Sequence, residues 1–160
     1  MPPQTRSAFT GSDGLDPEAG LIADSAGNLY GTTLGGATAG CDVPACGVVF
    51  KISTDGTETV LYAFKGGSDG DVPVASLIAD SSGSLYGTTE AGGASGSGTV
   101  FKLTGTGFVV FAGTPGRPNC RGKSVSALVR QYGSLNAAAA ALGFSSVQAL
   151  QEAIRAFCSA

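Results

Sequence analysis

The chain repeats itself. Leu21-Ile-Ala-Asp-Ser-Ala-Gly-Asn-Leu-Tyr-Gly-Thr-Thr33 returns as Leu77-Ile-Ala-Asp-Ser-Ser-Gly-Ser-Leu-Tyr-Gly-Thr-Thr89, with Asp24 and Asp80 56 positions apart. A long internal repeat decides the architecture before any single element does. Each copy opens on a short apolar end, Ala8-Phe9 or Ala63-Phe64, and a Gly-Ser-Asp-Gly-x-x-Pro loop, Gly11–Pro17 or Gly67–Pro73. A strand follows at 20–24 or 76–80, then a tight turn at 25–27 or 81–83 in which glycine supplies a positive φ. A second strand is expected at 28–33 or 84–89. A third is expected at Gly47-Val-Val-Phe-Lys-Ile52 or Gly98-Thr-Val-Phe-Lys-Leu103, where apolar residues alternate with period two. A fourth is expected at 59–64 or 108–112. Four short strands in about 50 residues are the content of a propeller blade. The expected fold is therefore mainly β: two blade-like four-stranded repeats, with a sandwich or barrel carrying a helical cap as the alternative.

The expected domain layout is a tail at 1–7, repeats at 8–65 and 66–112, a linker at 113–119 and a helical module at 120–160. From 120 onward the apolar period becomes helical. Val125, Leu128, Val129 and Tyr132 recur at helical spacing, Ser134 is placed to cap a helix running to Leu142, and Gly143 ends it. Ser145-Ser-Val-Gln148 fits a capping box, and Val147, Leu150, Ile154 and Phe157 share one face.

The 160 residues contain no histidine, which excludes Ser-His-Asp and Cys-His mechanisms and removes the commonest general base. Four cysteines allow three pairings. Position favours Cys41–Cys46 within one loop and Cys120–Cys158 across the helical module. Neither pair has zinc-knuckle or redox spacing, so both read as structural bonds made in an oxidising compartment. The expected location is extracellular, periplasmic or at the cell surface, although Met1–Thr10 lacks the apolar core of a signal peptide. No apolar run reaches the length of a membrane span. Charge is uneven: residues 1–116 hold four basic and eleven acidic side chains, and 117–160 hold five basic and one acidic. Two docked surfaces of one protein account for that split.

The string Asp-Ser-x-Gly-x-Leu-Tyr-Gly-Thr-Thr, then Gly-Gly, Val-Phe-Lys-[Ile/Leu] and Leu-Tyr-x-Phe-x-Gly-Gly-x-Asp-Gly resembles the GloVer-type tandem repeat of bacterial secreted and surface proteins, over about residues 8–112. The resemblance implies propeller-like β structure and an exported protein, and carries no general activity. The tail after 120 resembles a C-terminal segment of some secreted proteobacterial proteins.

Ala137–Ser146 resembles the turn of a helix-turn-helix, but the following helix offers only Gln148, Gln151 and Arg155, opposed by Glu152. That is a poor set for reading bases, and no nucleic-acid partner is expected. Asp13 and Asp16, with Asp69 and Asp71 as their repeat mates, place hard oxygens in Gly-rich loops and are candidate Ca²⁺ ligands. Turn formation by the same side chains is the competing role. Tyr30 and Tyr86, with Thr32, Thr33, Thr88 and Thr89, are candidates for a ligand surface, and alternation places Lys51 and Lys102 on a solvated face. The leading functional expectation is a secreted or surface-exposed β-repeat module binding a protein or glycan. A Ca²⁺-dependent, histidine-free hydrolase of small esters or lactones, and a piece of a longer repeat array, are the alternatives. Two units leave open sheet edges, so association into a homo-oligomer is expected.

Overall fold

A computed structural model describes residues 5, 7–36, 41 and 46–160. The tail expected at 1–7 and the interior of the Cys41–Cys46 loop lie largely outside them. The first repeat is an antiparallel meander of β1 (Ile22–Ala23), β2 (Leu29–Thr33), β3 (Val48–Ile52) and β4 (Glu58–Ala63), paired in that order. The second is β5 (Ile78–Ala79), β6 (Leu85–Thr89) and β7 (Thr99–Leu103). Neither sheet closes into a ring. Three helices follow, α1 (Cys120–Tyr132), α2 (Leu135–Ala141) and α3 (Val147–Ser159). Among the described residues no helix is long and apolar enough to cross a membrane.

The two sheets share their register as well as their sequence. Gly31 pairs with Phe50 and Gly87 with Phe101, and in each pair the Phe ring lies over the glycine. A Cβ on Gly31 would sit 2.7 Å from Phe50 Cζ, and one on Gly87 would collide with Phe101 Cζ. Each ring is then met edge-on by the phenylalanine that precedes its repeat: Phe9 on Phe50 at 5.0 Å, Phe64 on Phe101 at 5.1 Å. This is why Tyr-Gly-Thr-Thr and Val-Phe-Lys travel together in the sequence. In the first sheet β4 carries a bulge, with Val49 opposite Tyr62 and Phe50 opposite Val60, so Leu61 is the extra residue.

The core lies between the sheets. Strand alternation divides each sheet into two faces. One face of the first sheet carries Ile22, Tyr30, Thr32, Val49 and Lys51. Tyr30 and Val49 on this face form one apolar cluster with Phe64, Leu77, Leu85 and Phe108 of the second repeat. Val49 is consequently buried, although period two in β3 suggests a half-solvated strand. Lys51 likewise does not face open solvent: it is half-buried, with its ammonium 5.9 Å from the Tyr30 ring centroid. The opposite face, Val48, Phe50 and Ile52, is covered by Phe9, Leu29 and Ala63.

The fourth strand expected at 108–112 does not form. Gly105 and Gly107, at φ 66° and 70°, turn the chain away from β7 and across to the first repeat. There Ser25 N–H donates to Val109 O at 2.8 Å and Phe111 N–H to Ser25 Oγ at 3.2 Å. The segment is still two-faced: Phe108 and Val110 join the core between the sheets, while Val109 and Phe111 join the helical core. Alternation marks the two faces of this segment, but it does not pair as a strand on β7, and the helices take one of its faces.

The helical core is Leu128, Ala138, Ala139, Leu142, Leu150 and Ile154, closed by Val109 and Phe111. Val129, at helical spacing with Leu128, is exposed. Ser134 Oγ accepts the N–H of Ala137 at 3.1 Å and caps α2. The α3 cap is Ser146, accepting from Ala149 N–H, and not Ser145. The capping box is one residue out of register, and Gln148 bonds Glu152 instead. Cys41 is bonded to Cys46 and Cys120 to Cys158. The second bond closes a separation of 38 residues, a constraint of about 3–4 kcal/mol in the chain-entropy view.

Gly31→Ala is expected to lower stability by about 1–3 kcal/mol, because the new methyl must displace Phe50 and Leu21. Chemical denaturation followed by far-UV circular dichroism measures it. A midpoint unchanged from the parent would remove the Gly–Phe pair as the determinant of this sheet.

Candidate functional site

The turn after β1 is organised by one carboxylate. Asp24 Oδ1 accepts the N–H groups of Ala26 and Asn28, both at 2.9 Å. Its Oδ2 accepts Asn28 Nδ2 at 2.8 Å, the Tyr30 hydroxyl at 3.1 Å and Val109 N–H at 3.2 Å. The first bonds close the turn on itself, as Asp does at such positions. Tyr30 follows from the hairpin, which sets it opposite Ile22 beside the end of β1. The last bond comes from the far end of the second repeat. Burial, and then the charge of Asp24, hold the Tyr30 hydroxyl far above its ordinary pKa, so it remains a donor.

The second repeat rebuilds this turn without the incoming backbone. Asp80 Oδ1 accepts Ser82 N–H at 2.9 Å, Ser84 N–H at 3.0 Å and the Ser82 hydroxyl at 2.6 Å, and Oδ2 accepts the Tyr86 hydroxyl at 2.9 Å. The Ser82 hydroxyl, and then Ser84 N–H, hold the Asp80 carboxyl well below its usual range. Lys102 lies with its ammonium 5.2 Å from the Tyr86 ring centroid, and the Tyr86 hydroxyl raises its pKa. Ile78, Tyr86, Thr88, Val100 and Lys102 make up one face of the second sheet. Position for position it repeats Ile22, Tyr30, Thr32, Val49 and Lys51, with identical residue types. In the first repeat this face is core. In the second it is open: Val100 is 81 % and Ile78 68 % exposed. Among the described residues this face is an apolar, aromatic and hydroxyl-bearing patch with one cation.

The other predicted residues fall elsewhere. Tyr30 is fully buried, so of the two tyrosines only Tyr86 reaches a surface. Asp13 accepts Thr10 N–H at 2.7 Å, and Asp69 accepts Lys65 N–H at 3.0 Å and the Tyr62 hydroxyl at 2.6 Å, so both hold their own loops. The bond to Asp69 pushes the Tyr62 hydroxyl up to about 12. Asp16 and Asp71 are not mates. Asp71 bridges Ala91 as Leu15 bridges Gly35, and Asp16 matches Val72, both at left-handed φ near 54° and 59°. Among the described residues no group of three or more carboxylates or cysteines is placed to hold a metal. A groove of about 700 Å³ runs along α1 past Asn119, Lys123, Arg130 and Gln131, but all four side chains are exposed and the Gln131 amide is turned to the Ser82 carbonyl.

Sequence reasoning named Tyr86, Thr88 and Lys102 separately and missed Ile78 and Val100. Alternation through 98–103 already places Val100 beside Lys102. What it lacks is any sign that this face loses its cover in the second copy.

A family model described as the Gloeobacter/Verrucomicrobia repeat matches residues 3–144. No curated protein matches the chain.

Two outcomes are expected. Asp24→Ala leaves several buried donors unpaired and lowers stability by about 1–3 kcal/mol or more, whereas Asp80→Ala, at a more open turn, lowers it less. Thermal melting of the two variants side by side tests this, and equal losses would contradict the assignment of Asp24 as the hub. Asp13, Asp55 and Asp80 all sit below the ordinary 3.8 when folded. Their folded pKa is depressed, so their contribution is present above about pH 4 and is lost as the pH falls below it. Melting temperature should be flat from about pH 7 to 5 and drop below about pH 4. A rise on acidification would contradict the sign.

Proposed function

The chain belongs to the Gloeobacter/Verrucomicrobia repeat family, and from that membership we propose that it is a secreted or surface-exposed interaction module. Its working surface is the open face of the second repeat. The observation that carries this reading is the contrast between two identical faces, one buried in the core and one left to solvent. Exposed apolar area of this kind, rimmed by polar groups, marks binding surfaces. Tyr86 supplies a rigid amphipathic ring, Thr88 a hydroxyl, and Lys102 a cation held over the ring, a set suited to a protein or glycan partner. The two disulfides and the absence of free cysteines support an oxidising compartment. The propeller-blade character of each repeat belongs to the same reading: the strand order of the first sheet is that of a four-stranded meander.

Labelled protein on an array carrying glycans and immobilised copies of the protein itself tests the proposal. The parent should bind at least one class of spot. Val100→Asp should reduce that signal at least tenfold while its melting stays that of the parent. Binding unaffected by Val100→Asp, or no binding to any spot, would overturn it.

A further inference from the structure

Taking the second repeat's open face as the interaction surface, we infer that its partner is the first repeat of another copy of this chain, joined head to tail in the way the two repeats are joined within one chain. The internal contact supplies the template. On the receiving side stand Ile22, Tyr30, Thr32 and Val49. On the entering side stand Pro73, Ala75 and Leu77, which follow the loop of the second repeat. Thr32 Oγ1 donates to Ala75 O at 3.3 Å, Pro73 lies over Gly47, and Gly20 N–H donates to Ser76 Oγ at 3.1 Å.

Apart from the Ser76 hydroxyl, whose place in the first repeat is taken by Gly20, both halves of this contact occur a second time, and both are open. The spare receiving half is Ile78, Tyr86, Thr88 and Val100. Thr32 is 1 % exposed and Val49 fully buried, whereas Thr88 is exposed and Val100 is 81 % exposed. The spare entering half is Pro17, Ala19 and Leu21 of the first repeat. Pro73 is buried and Leu77 is 1 % exposed, whereas Pro17 is exposed and Leu21 is 53 % exposed. Residue types match at every one of these positions: Ile, Tyr, Thr and Val on one side, and Pro, Ala and Leu on the other. A surface that the chain already buries against its complement is thus presented at one end, and the complement at the other. Docking a second copy would place its Leu21 against Val100 and Tyr86, its Pro17 against Gly98, and its Ala19 carbonyl within reach of the Thr88 hydroxyl.

Such a contact joins two different patches, so it propagates until a rotation closes it. Propeller rings close at about four to eight sheets, which corresponds to about two to four copies. Nothing in the helical module competes, because it packs on Val109, Phe111 and Ala26, away from this face.

The experiment is light scattering with sedimentation velocity on the full chain, from about 1 to 100 µM. The parent should exceed its monomer mass of 15.7 kDa as concentration rises. Val100→Asp and Leu21→Glu should each be monomeric. An equimolar mixture of the two should form a dimer and nothing larger, because the first variant keeps a sound entering half and the second a sound receiving half. Thr88→Arg and Pro17→Glu replace either variant that fails to melt like the parent. A parent that stays monomeric throughout, or a mixture that stays monomeric, overturns the inference. A monomeric parent whose array binding to glycans is still abolished by Val100→Asp would overturn the second copy as partner and leave the interaction module standing. Loss of both would remove both.

Discussion

A short antiparallel sheet with apolar residues on both faces cannot stand alone, and that constraint governs this molecule. β2 and β3 direct Phe50 and Ile52 to one side and Tyr30 and Val49 to the other. Phe9 and Leu29 are enough to cover the first side. The second side needs another sheet, and the second repeat provides it with Leu77, Leu85, Phe64 and Phe108. Full burial of a side chain such as Val49 or Leu77 contributes about 1.5–3 kcal/mol, so the repeat contact is the main apolar stabilisation of the β part. Because the repeat is copied with its two-sidedness intact, the last sheet inherits the same need.

Asp24 adds direction to that contact. Its carboxylate both closes the β1–β2 turn and receives Val109 N–H from the end of the second repeat, while Val109 O accepts Ser25 N–H. Apolar stacking alone would tolerate sliding between the sheets. Two opposed bonds to the Val109 backbone, one from the Asp24 carboxylate and one from Ser25 N–H, would not, since a shift strands buried donors. The corresponding Asp80 turn has the same two backbone bonds and no incoming backbone donor, and Asp80 is half-buried where Asp24 is buried.

Much of this was legible in the chain. The repeat gave the number of units, the glycines at 27 and 83 gave the turns, and period two gave the third strands to within a residue. Motif residues whose partners are local, such as Tyr86 with Asp80, follow from spacing once the hairpin is drawn. What spacing does not carry is the identity of a distant partner. Phe108–Phe111 alternates like a strand, yet its neighbours are the Asp24 turn and α3, where Phe111 meets Phe157 at 5.4 Å. Tyr30 and Tyr86 have the same sequence surroundings, yet Tyr30 is fully buried and Tyr86 only half-buried, because only one has a sheet stacked on it. Asp16 and Asp71 share a residue type but not a position: Asp71 stands in the place of Leu15, and Asp16 in that of Val72.

The helical module has a structural role distinct from a cap. A cap would cover the last sheet and end the stack. Here the apolar face of the helices closes on Val109 and Phe111, which belong to the second repeat by sequence, and on Ala26, which belongs to the first. Gln131 of α1 reaches back to the carbonyl of Ser82 in the second repeat. The module therefore grips both repeats near their turns, from the side. The Cys120–Cys158 bond holds its two long helices together, and Ser124, buried, ties it to the approaching chain by accepting Gly113 N–H. A clamp in that position fixes the angle between the first two sheets and leaves the outward face of the second untouched. Those are the two conditions under which a repeat contact made once within a chain can be made again by the next chain with the same geometry.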